Sequence, residues 1–174
     1  MQIIIQPIEK DIPTSILNLL SDSISEEFNN NVTVAPTLKV DIQNFIDRNR
    51  NQLRSTNLLN WILEKIEPTK EMKILSICDI DAYSDNLNFV FGEASLGGQA
   101  AVIYLPRLRP EFYNQEADEH IFKDRIVKEA IHELGHTFGL IHCNNKRCVM
   151  HFSNSLNDTD YKSRSLCENC TNKL

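Results

Sequence analysis

The run from residue 132 to residue 137 carries side chains whose types and spacing suit metal chemistry. His132 and His136 are four positions apart, so on a helix they lie on one face, about one turn apart, and can bind the same ion. Glu133 directly follows the first histidine, which places its carboxylate beside the ion without making it a ligand. The arrangement predicts Glu133 as the general base for a water that the metal activates.

A third histidine follows at a spacing that requires the helix to end. Gly139 comes three positions after His136, and His142 comes three positions after Gly139. Glycine tolerates the left-handed conformation that ends a helix and reverses the chain, so the third imidazole can return to the same ion. Three imidazoles on zinc leave one position open, as in catalytic sites. The alternative, an amphipathic helix with incidental histidines, leaves Gly139, His142 and Met150 unexplained.

Four cysteines near the end of the chain form a second candidate metal site. They occur as two close pairs: Cys143 with Cys148, and Cys167 with Cys170. Two such pairs match a tetrahedral structural zinc site, and the intervening residues 149–166 contain little material for a core. The alternative is free or disulfide-bonded cysteines. Because His142 and Cys143 are adjacent, we expect the structural ion to fix the backbone that presents His142.

The complete pattern His-Glu-x-x-His-x-x-Gly-x-x-His followed by a methionine is the metzincin signature, and Met150 stands eight positions after His142. With the four cysteines, the sequence resembles the archaemetzincin family; the stretches 86–94 and 101–108 also resemble it. The resemblance implies a metzincin-like zincin fold and a zinc-dependent metallopeptidase that hydrolyses peptide bonds in a peptide or protein substrate. It also implies two zinc ions per chain: a catalytic ion on the histidines and a structural ion on the cysteines.

The residues around Met150 depart from the metzincin pattern in one respect. Met150 itself fits the Met-turn position, as an apolar floor under the histidines rather than a ligand, because a thioether is too soft to compete with imidazole for zinc. Some metzincins carry a tyrosine two positions later, whereas this chain has Phe152, which has no hydroxyl. Tyr161 is a substitute candidate for stabilising the oxyanion. We expect His151 to be a surface residue.

Length and charge set limits on the class of protein. The chain has 174 residues and a net charge of −6, and its length suits a single domain over residues 1–174. We expect this metalloprotease domain to consist of a sheet-and-helix part (1–139) and a C-terminal part (140–174) that the structural zinc holds together. We expect a cytoplasmic monomer without nucleic-acid or membrane partners, since no basic cluster or membrane span occurs. Three alternatives remain open: a non-catalytic zinc-binding scaffold, a zinc hydrolase of a non-peptide amide, and a zinc-finger-like nucleic-acid module, which the acidic charge disfavours.

Periodicity predicts an α+β fold, with an α/β-like upper part in which a mixed twisted sheet packs against helices. The predicted strands cover residues 1–8, 32–40, 72–80, 87–93 and 100–105, and the helices cover 16–28, 58–66 and about 117–138. Asp11 is a candidate start signal for the first helix, and residues 41–55 are unassigned. Asp79 and Asp81 are interpreted as turn residues rather than metal ligands, and Cys78 as a core residue. By resemblance, residues 89–94 form the edge strand beside the zinc.

Overall fold

The computed structural model describes residues 1–85 and 87–174, so Asn86, the first residue of the stretch 86–94, lies outside the described residues. The strands are β1 (Gln2–Ile8), β2 (Asn31–Val34), β3 (Ile46–Asp47), β4 (Gln52–Arg54), β5 (Met72–Cys78), β6 (Ala82–Tyr83), β7 (Gly92–Ala94) and β8 (Ala100–Tyr104). The α-helices are α1 (Thr14–Phe28), α2 (Ser55–Ile66), α3 (Glu119–Thr137), α4 (Leu156–Tyr161) and α5 (Glu168–Thr171). Short 3₁₀ helices occur at Ile42–Phe45, Pro106–Leu108 and Pro110–Tyr113.

The main sheet has the strand order β2-β1-β5-β8-β7, and its first four strands are parallel while β7 is antiparallel to β8. Helices cover both faces, which explains why β5 and β8 are almost continuously apolar. Along β5, Leu75 and Ile77 pack with α1 and α3, whereas Ile74 and Cys78 pack with α2 on the opposite face. The predicted α+β fold and the core position of Cys78 are therefore confirmed.

Several element predictions are confirmed to within a few residues: the first, third and fifth predicted strands and the three long helices. The second predicted strand is too long, because β2 ends at Val34. Its continuation stays beside β1 through single contacts: the N–H of Ala35 donates to the Ile5 carbonyl, and Leu38 forms an isolated bridge with Ile8.

Two local predictions are wrong. Pro13, not Asp11, occupies the N-cap position of α1, and Asp11 instead accepts a hydrogen bond from the Thr37 hydroxyl. The fourth predicted strand, residues 87–93, is also too long, because the observed strand β7 covers only Gly92–Ala94. Residues 87–91, which precede β7, are irregular, although the N–H of Val90 donates to the Ala82 carbonyl at 3.0 Å. The unassigned residues 41–55 contribute β3 and β4 to a small second sheet with β6.

Charged side chains, in addition to apolar packing, join the C-terminal part to α3. Three ion pairs join the helix to residues 160–164: Arg125 with Asp160 at 2.7 Å, Arg164 with Asp124 at 2.6 Å, and Lys162 with Glu129 at 3.2 Å. The Lys162 side chain is fully buried, so its charge depends on Glu129 for compensation. These contacts place α4 directly beside the helix that carries the predicted catalytic residues.

Asp79 and Asp81 are engaged by arginines that lie further along the chain. Asp81 accepts two hydrogen bonds from Arg107, at 2.6 and 2.8 Å, and Asp79 accepts two from Arg109, at 2.6 and 3.1 Å. Such bidentate pairs fix the segment after β8 to the end of β5. Neither aspartate belongs to a potential metal cluster in the described part of the chain. Within that same part, no helix is both long and apolar enough to cross a membrane.

Candidate active site and metal centres

The active-site helix α3 begins and ends as its sequence predicts. Asp118 caps its N-terminus by accepting a hydrogen bond from the Ile121 N–H at 2.9 Å. After Thr137 the chain reverses at Gly139, whose φ of +89° lies in the left-handed region. The N–H of Gly139 donates to the His136 carbonyl at 2.9 Å. This turn brings the following residues back along the helix end.

The reversal brings three imidazoles together. The Nε2 atoms of His132 and His136 are 3.1 Å apart, and one nitrogen of each of His132, His136 and His142 lies within 4.8 Å of the others. Zinc–nitrogen bonds of about 2.0–2.1 Å in a tetrahedral site bring ligand nitrogens to such separations. The donor set and its spacing therefore fit a zinc ion with one position open to substrate or water.

Backbone carbonyls orient two of these imidazoles. Nδ1 of His132 lies 2.8 Å from the Val149 carbonyl, and Nδ1 of His136 lies 2.7 Å from the Leu140 carbonyl. A carbonyl only accepts, so each Nδ1 carries the proton and each Nε2 keeps its lone pair for a metal. Burial lowers the pKa of His132 well below its usual value and also lowers the pKa values of His136 and His142. The neutral, ligating forms are thus favoured.

Glu133 lies fully inside the protein, between α3 and β7. Burial raises its pKa well above the usual value, and the neighbouring Glu129 carboxylate adds to the effect. Gly92 makes the close approach of the strand to the helix feasible, because a Cβ atom on Gly92 would lie 2.5 Å from Cγ of Glu133. A carboxyl group held at this position, with an elevated proton affinity, is suited to accept a proton from a water beside the histidines.

A cavity of about 570 Å³ opens over the three histidines and Glu133. Residues 87–94 form one wall, and residues 152–154 form the other. Exposed apolar side chains surround its mouth: Leu87, Leu96, Ile141 and Phe152. The cavity therefore joins a polar floor, where the chemistry would take place, to an apolar rim that can bury hydrophobic parts of a ligand.

Met150 packs against α3 at Gly135. It is completely buried, and it packs so closely on Gly135 that a Cβ atom there would collide with its sulfur. Phe152 lines the cavity with its ring centroid 5.0 Å from that of His142. The Phe152 ring therefore packs beside the one imidazole of the three that has the greatest exposure.

Two expectations about neighbouring side chains are wrong. Tyr161 is not among the residues that line the cavity; its ring lies under the Arg147 guanidinium, 4.4 Å from the centroid, so it cannot replace the missing hydroxyl at Phe152. His151 is partly buried rather than a surface residue. Its Nδ1 lies 2.8 Å from the Cys143 carbonyl, which ties it to the cysteine cluster.

The sulfur atoms of the four cysteines lie within 4.8 Å of one another, as the spacing of the two pairs predicts. Sγ of Cys143 is 3.8 Å from Sγ of Cys167, and Sγ of Cys148 is 3.7 Å from Sγ of Cys170. A tetrahedron of thiolates with zinc–sulfur bonds of about 2.3 Å has edges of about 3.8 Å, so the cluster fits zinc. These distances are much longer than a disulfide bond of about 2.05 Å, and all four thiols are free.

The surroundings of Cys167 favour its thiolate, whereas burial raises the pKa values of Cys148 and Cys170 in the same cluster. Burial also acts to raise the pKa of Cys167, but the backbone N–H of Cys170 and the neighbouring thiols stabilise the thiolate and lower the pKa to about 7. The thiolate is the form that binds zinc.

Sequence reasoning missed two residues beside Glu133. Gly92 was part of a predicted strand, and a glycine inside a strand can signal a close approach of another group. Glu129, one helical turn before Glu133, lines the cavity and pairs with the buried Lys162. The four-residue spacing on α3 could have placed Glu129 on the same face, but its partner lies 33 positions away and has no local signal.

Comparisons with known proteins agree with this geometry. The model of peptidase family M54 matches residues 32–174. An archaemetzincin of Methanocaldococcus jannaschii is 45% identical over 174 residues, which cover 100% of this chain and 93% of the relative. An archaemetzincin of Archaeoglobus fulgidus is 40% identical over 174 residues, covering 100% of this chain and 99% of the relative.

Two solved structures are similar over nearly the whole chain. The crystal structure of archaemetzincin from Archaeoglobus fulgidus, complexed with malonate, gives a TM-score of 0.83 at 37% identity and covers 100% of both chains. That of archaemetzincin from Methanopyrus kandleri gives a TM-score of 0.85 at 33% identity, covering 99% of this chain and 92% of the other.

Proposed function

The chain belongs to peptidase family M54, the archaemetzincins, and is a zinc metallopeptidase; from this premise we propose that Glu133 is the general base of peptide-bond hydrolysis. We assign the catalytic zinc to His132, His136 and His142, and a second, structural zinc to the four clustered cysteines. The position of Glu133, directly after a ligating histidine and buried against Gly92, is the observation that carries the proposal.

The protein's own groups supply the binding and proton-transfer steps. When bound, a zinc ion would polarise the scissile carbonyl and lower the pKa of a water in the open position. The Val149 and Leu140 carbonyls hold two of the imidazoles in the tautomer that ligates through Nε2. A Glu133 carboxylate oxygen accepts the proton of the attacking water and then delivers it to the leaving nitrogen.

The substrate backbone would lie along β7. This strand pairs with β8 on one side only, and its residues line the catalytic cavity. An extended peptide can add to such an edge through main-chain hydrogen bonds, while its side chains meet the apolar rim. Among the described residues no tyrosine lines this cavity, so the chain offers the oxyanion no phenolic hydroxyl there.

The test is cleavage of a mixed peptide library by the parent protein and by Glu133→Ala, each loaded with zinc and checked for two zinc ions per chain. We expect the parent alone to cleave, because the variant keeps its ligands but lacks the base. Equal cleavage by both proteins would refute the role of Glu133.

The same experiment separates the alternatives. A zinc-loaded parent that cleaves no peptide would favour either a non-catalytic scaffold or a hydrolase of non-peptide amides, and a panel of such amides would distinguish the two. The buried base argues against a scaffold, because metal binding alone has no need of a carboxyl group at that position.

We also propose that the protein acts as a cytoplasmic monomer without nucleic-acid or membrane partners. A reducing compartment keeps the four cysteines as thiols that can bind metal, and the net charge of −6 disfavours polyanionic partners. Light scattering on the zinc-loaded protein tests the monomer, which a mass of about twice 20.0 kDa would contradict.

A further inference from the structure

Lys73, the second residue of the mostly apolar strand β5, is a buried charged residue. Its side chain is 6% exposed, and burying an ammonium group is costly unless hydrogen-bond acceptors surround it. Nζ donates to the Gly98 carbonyl at 2.6 Å and to the Thr137 carbonyl at 2.7 Å, and it lies 5.3 Å from the centroid of the Phe138 ring. Two of the three N–H groups of the ammonium therefore have carbonyl acceptors, and these acceptors lie in different elements.

One acceptor belongs to the helix that carries the histidines. Thr137 is the last residue of α3 and directly follows His136. Carbonyls in the last turn of a helix have no partner within the helix, and the helix dipole makes this end favourable for a cation. Lys73 thus caps α3 just before the chain reverses at Gly139 toward His142.

The other acceptor belongs to the turn that follows the candidate substrate strand. Gly98 lies between β7 and β8, and a second bond reinforces the connection: the N–H of Gly97 donates to the His136 carbonyl at 2.8 Å. The turn after β7 and the end of α3 are therefore joined twice, once by backbone and once through Lys73.

We infer that Lys73 is a positioning residue that sets the separation between β7, where the substrate backbone would pair, and the imidazole of His136. The inference rests on the proposed function, because it assumes that a peptide binds along β7. Without the ammonium group, the carbonyls of Gly98 and Thr137 would face each other with no donor between them. The turn would then move away from the helix and carry β7 with it.

Such a shift should affect long substrates more than short ones. A peptide that pairs with β7 along its length depends on the strand for its alignment with the metal site, and a displacement of about 1 Å can cost about 100-fold in rate. A substrate that contains only the two residues around the scissile bond makes few contacts with β7. A lysine that merely stabilised the fold would give no such dependence on length.

The test compares Lys73→Met with the parent and with Lys70→Met, an exposed lysine three positions earlier. The substrates are the best-cleaved peptide of the library and the same peptide shortened to the two residues around the cut. For Lys73→Met we expect two zinc ions per chain, a loss of about tenfold or more in kcat/KM on the long peptide, and a loss of less than about threefold on the short one. Lys70→Met should match the parent on both, and Lys73→Arg should recover part of the loss.

Hydrogen exchange gives a second readout that does not depend on activity. The Gly97 amide should exchange at least about tenfold faster in zinc-loaded Lys73→Met than in the parent, while amides in the centre of β1 keep their protection. A folded Lys73→Met protein with parental kinetics on the long peptide, or with equal losses on both substrates, overturns the inference, as does unchanged exchange at Gly97.

Two further outcomes are distinguishable. If Lys73→Met does not fold, Lys73→Gln, which keeps one donor group for the two carbonyls, takes its place; failure of both variants to fold overturns the inference in favour of a purely structural role. If the zinc-loaded parent cleaves no peptide, the proposed function fails, and the part of the inference that concerns substrate alignment fails with it. The exchange measurement then still tests whether Lys73 holds the turn after β7 against the end of α3.

Discussion

The backbone N–H of Cys143 donates to the carbonyl of Met150 at 2.9 Å, which joins the first cysteine of the cluster to the methionine that packs on Gly135 of the histidine-bearing helix. Val149, one position earlier, accepts the Nδ1 proton of His132 and donates its own N–H to the Ser165 carbonyl at 3.0 Å. The segment that carries the cysteines therefore also holds a ligand of the candidate catalytic centre. The two candidate metal centres share one stretch of backbone, so a change that disrupts the cysteine cluster should also impair the histidine site.

Replacing Cys170 with serine tests this connection. We expect the variant to bind one zinc ion instead of two and to lose about 10- to 100-fold in kcat/KM, as is typical when groups that support metal ligands are removed. Zinc analysis and peptide cleavage measure the two effects. Cys78→Ala, a change at the cysteine outside the cluster, should keep both ions. A Cys170→Ser protein with one zinc and full turnover would disprove the connection.

Gly92→Ala should inactivate the protein without removing a metal ligand. The added Cβ would lie 2.5 Å from Cγ of Glu133, so either the base or β7 must move. We expect kcat/KM to fall by about 100-fold, because a small displacement of a reacting group is costly, while two zinc ions remain bound. Ala117→Gly, an exchange of the same two residue types at an exposed position outside the cavity, is the control and should stay within a few-fold of the parent. Parental activity in Gly92→Ala would show that the contact is not critical.

Glu133→Gln should separate metal binding from turnover. Glutamine has nearly the shape of glutamate, but it cannot accept the proton of the attacking water. We expect both zinc ions to remain and kcat to fall by about 100- to 10,000-fold, the usual contribution of a general base. Glu119→Gln, in the exposed first turn of the same helix, should leave kcat unchanged. Loss of zinc from Glu133→Gln would instead indicate a structural role.

The ion pairs of Asp124 should make stability depend on pH in acid. Burial alone would raise the pKa of Asp124, but hydrogen bonds from Lys128 and Arg164 outweigh it and hold the pKa below the usual 3.8. A lowered folded-state pKa means that the carboxylate stabilises the fold above about pH 3.8 and that this contribution disappears as the pH falls through the folded-state value.

Urea unfolding of the parent and of Asp124→Asn at several values between pH 7 and pH 3 measures this contribution. We expect the parent to have the larger free energy of unfolding at neutral pH and the difference to shrink below pH 3.8. Both proteins carry the same metal sites, so the difference isolates the carboxylate. A difference that grows on acidification would contradict the sign of the shift.

The parts of the site that depend on local geometry could be predicted from sequence. The spacing of His132 and His136 on a helix, the reversal at Gly139 and the convergence of the cysteine pairs follow from short-range rules, and the structure shows each of them. Residues whose role depends on a distant partner could not be predicted in this way. Lys73 occupies an apolar strand, and only the fold shows that Gly98 and Thr137 supply its acceptors.

The edge strand illustrates the same limit. Residues 87–93 have the composition of a strand, yet only Gly92–Ala94 form a ladder with β8. Phe91 adds a single hydrogen bond to β8 by accepting from the Tyr104 N–H, and the Val90 N–H donates instead to Ala82. Asp79 and Asp81 read as turn residues, whereas their arginine partners lie 30 and 26 positions later. Pairings over such distances have no periodic signature.

The position of the second cysteine pair determines when the enzyme can first work. The histidine-bearing helix is synthesised before Cys167 and Cys170, yet the carbonyl that orients His132 belongs to the segment that lies between the two cysteine pairs. An unfinished chain therefore lacks the support for its own catalytic centre. Full proteolytic activity should therefore require Cys170 to have been synthesised, and a chain truncated before Cys167 would carry all three histidines without the segment that supports them.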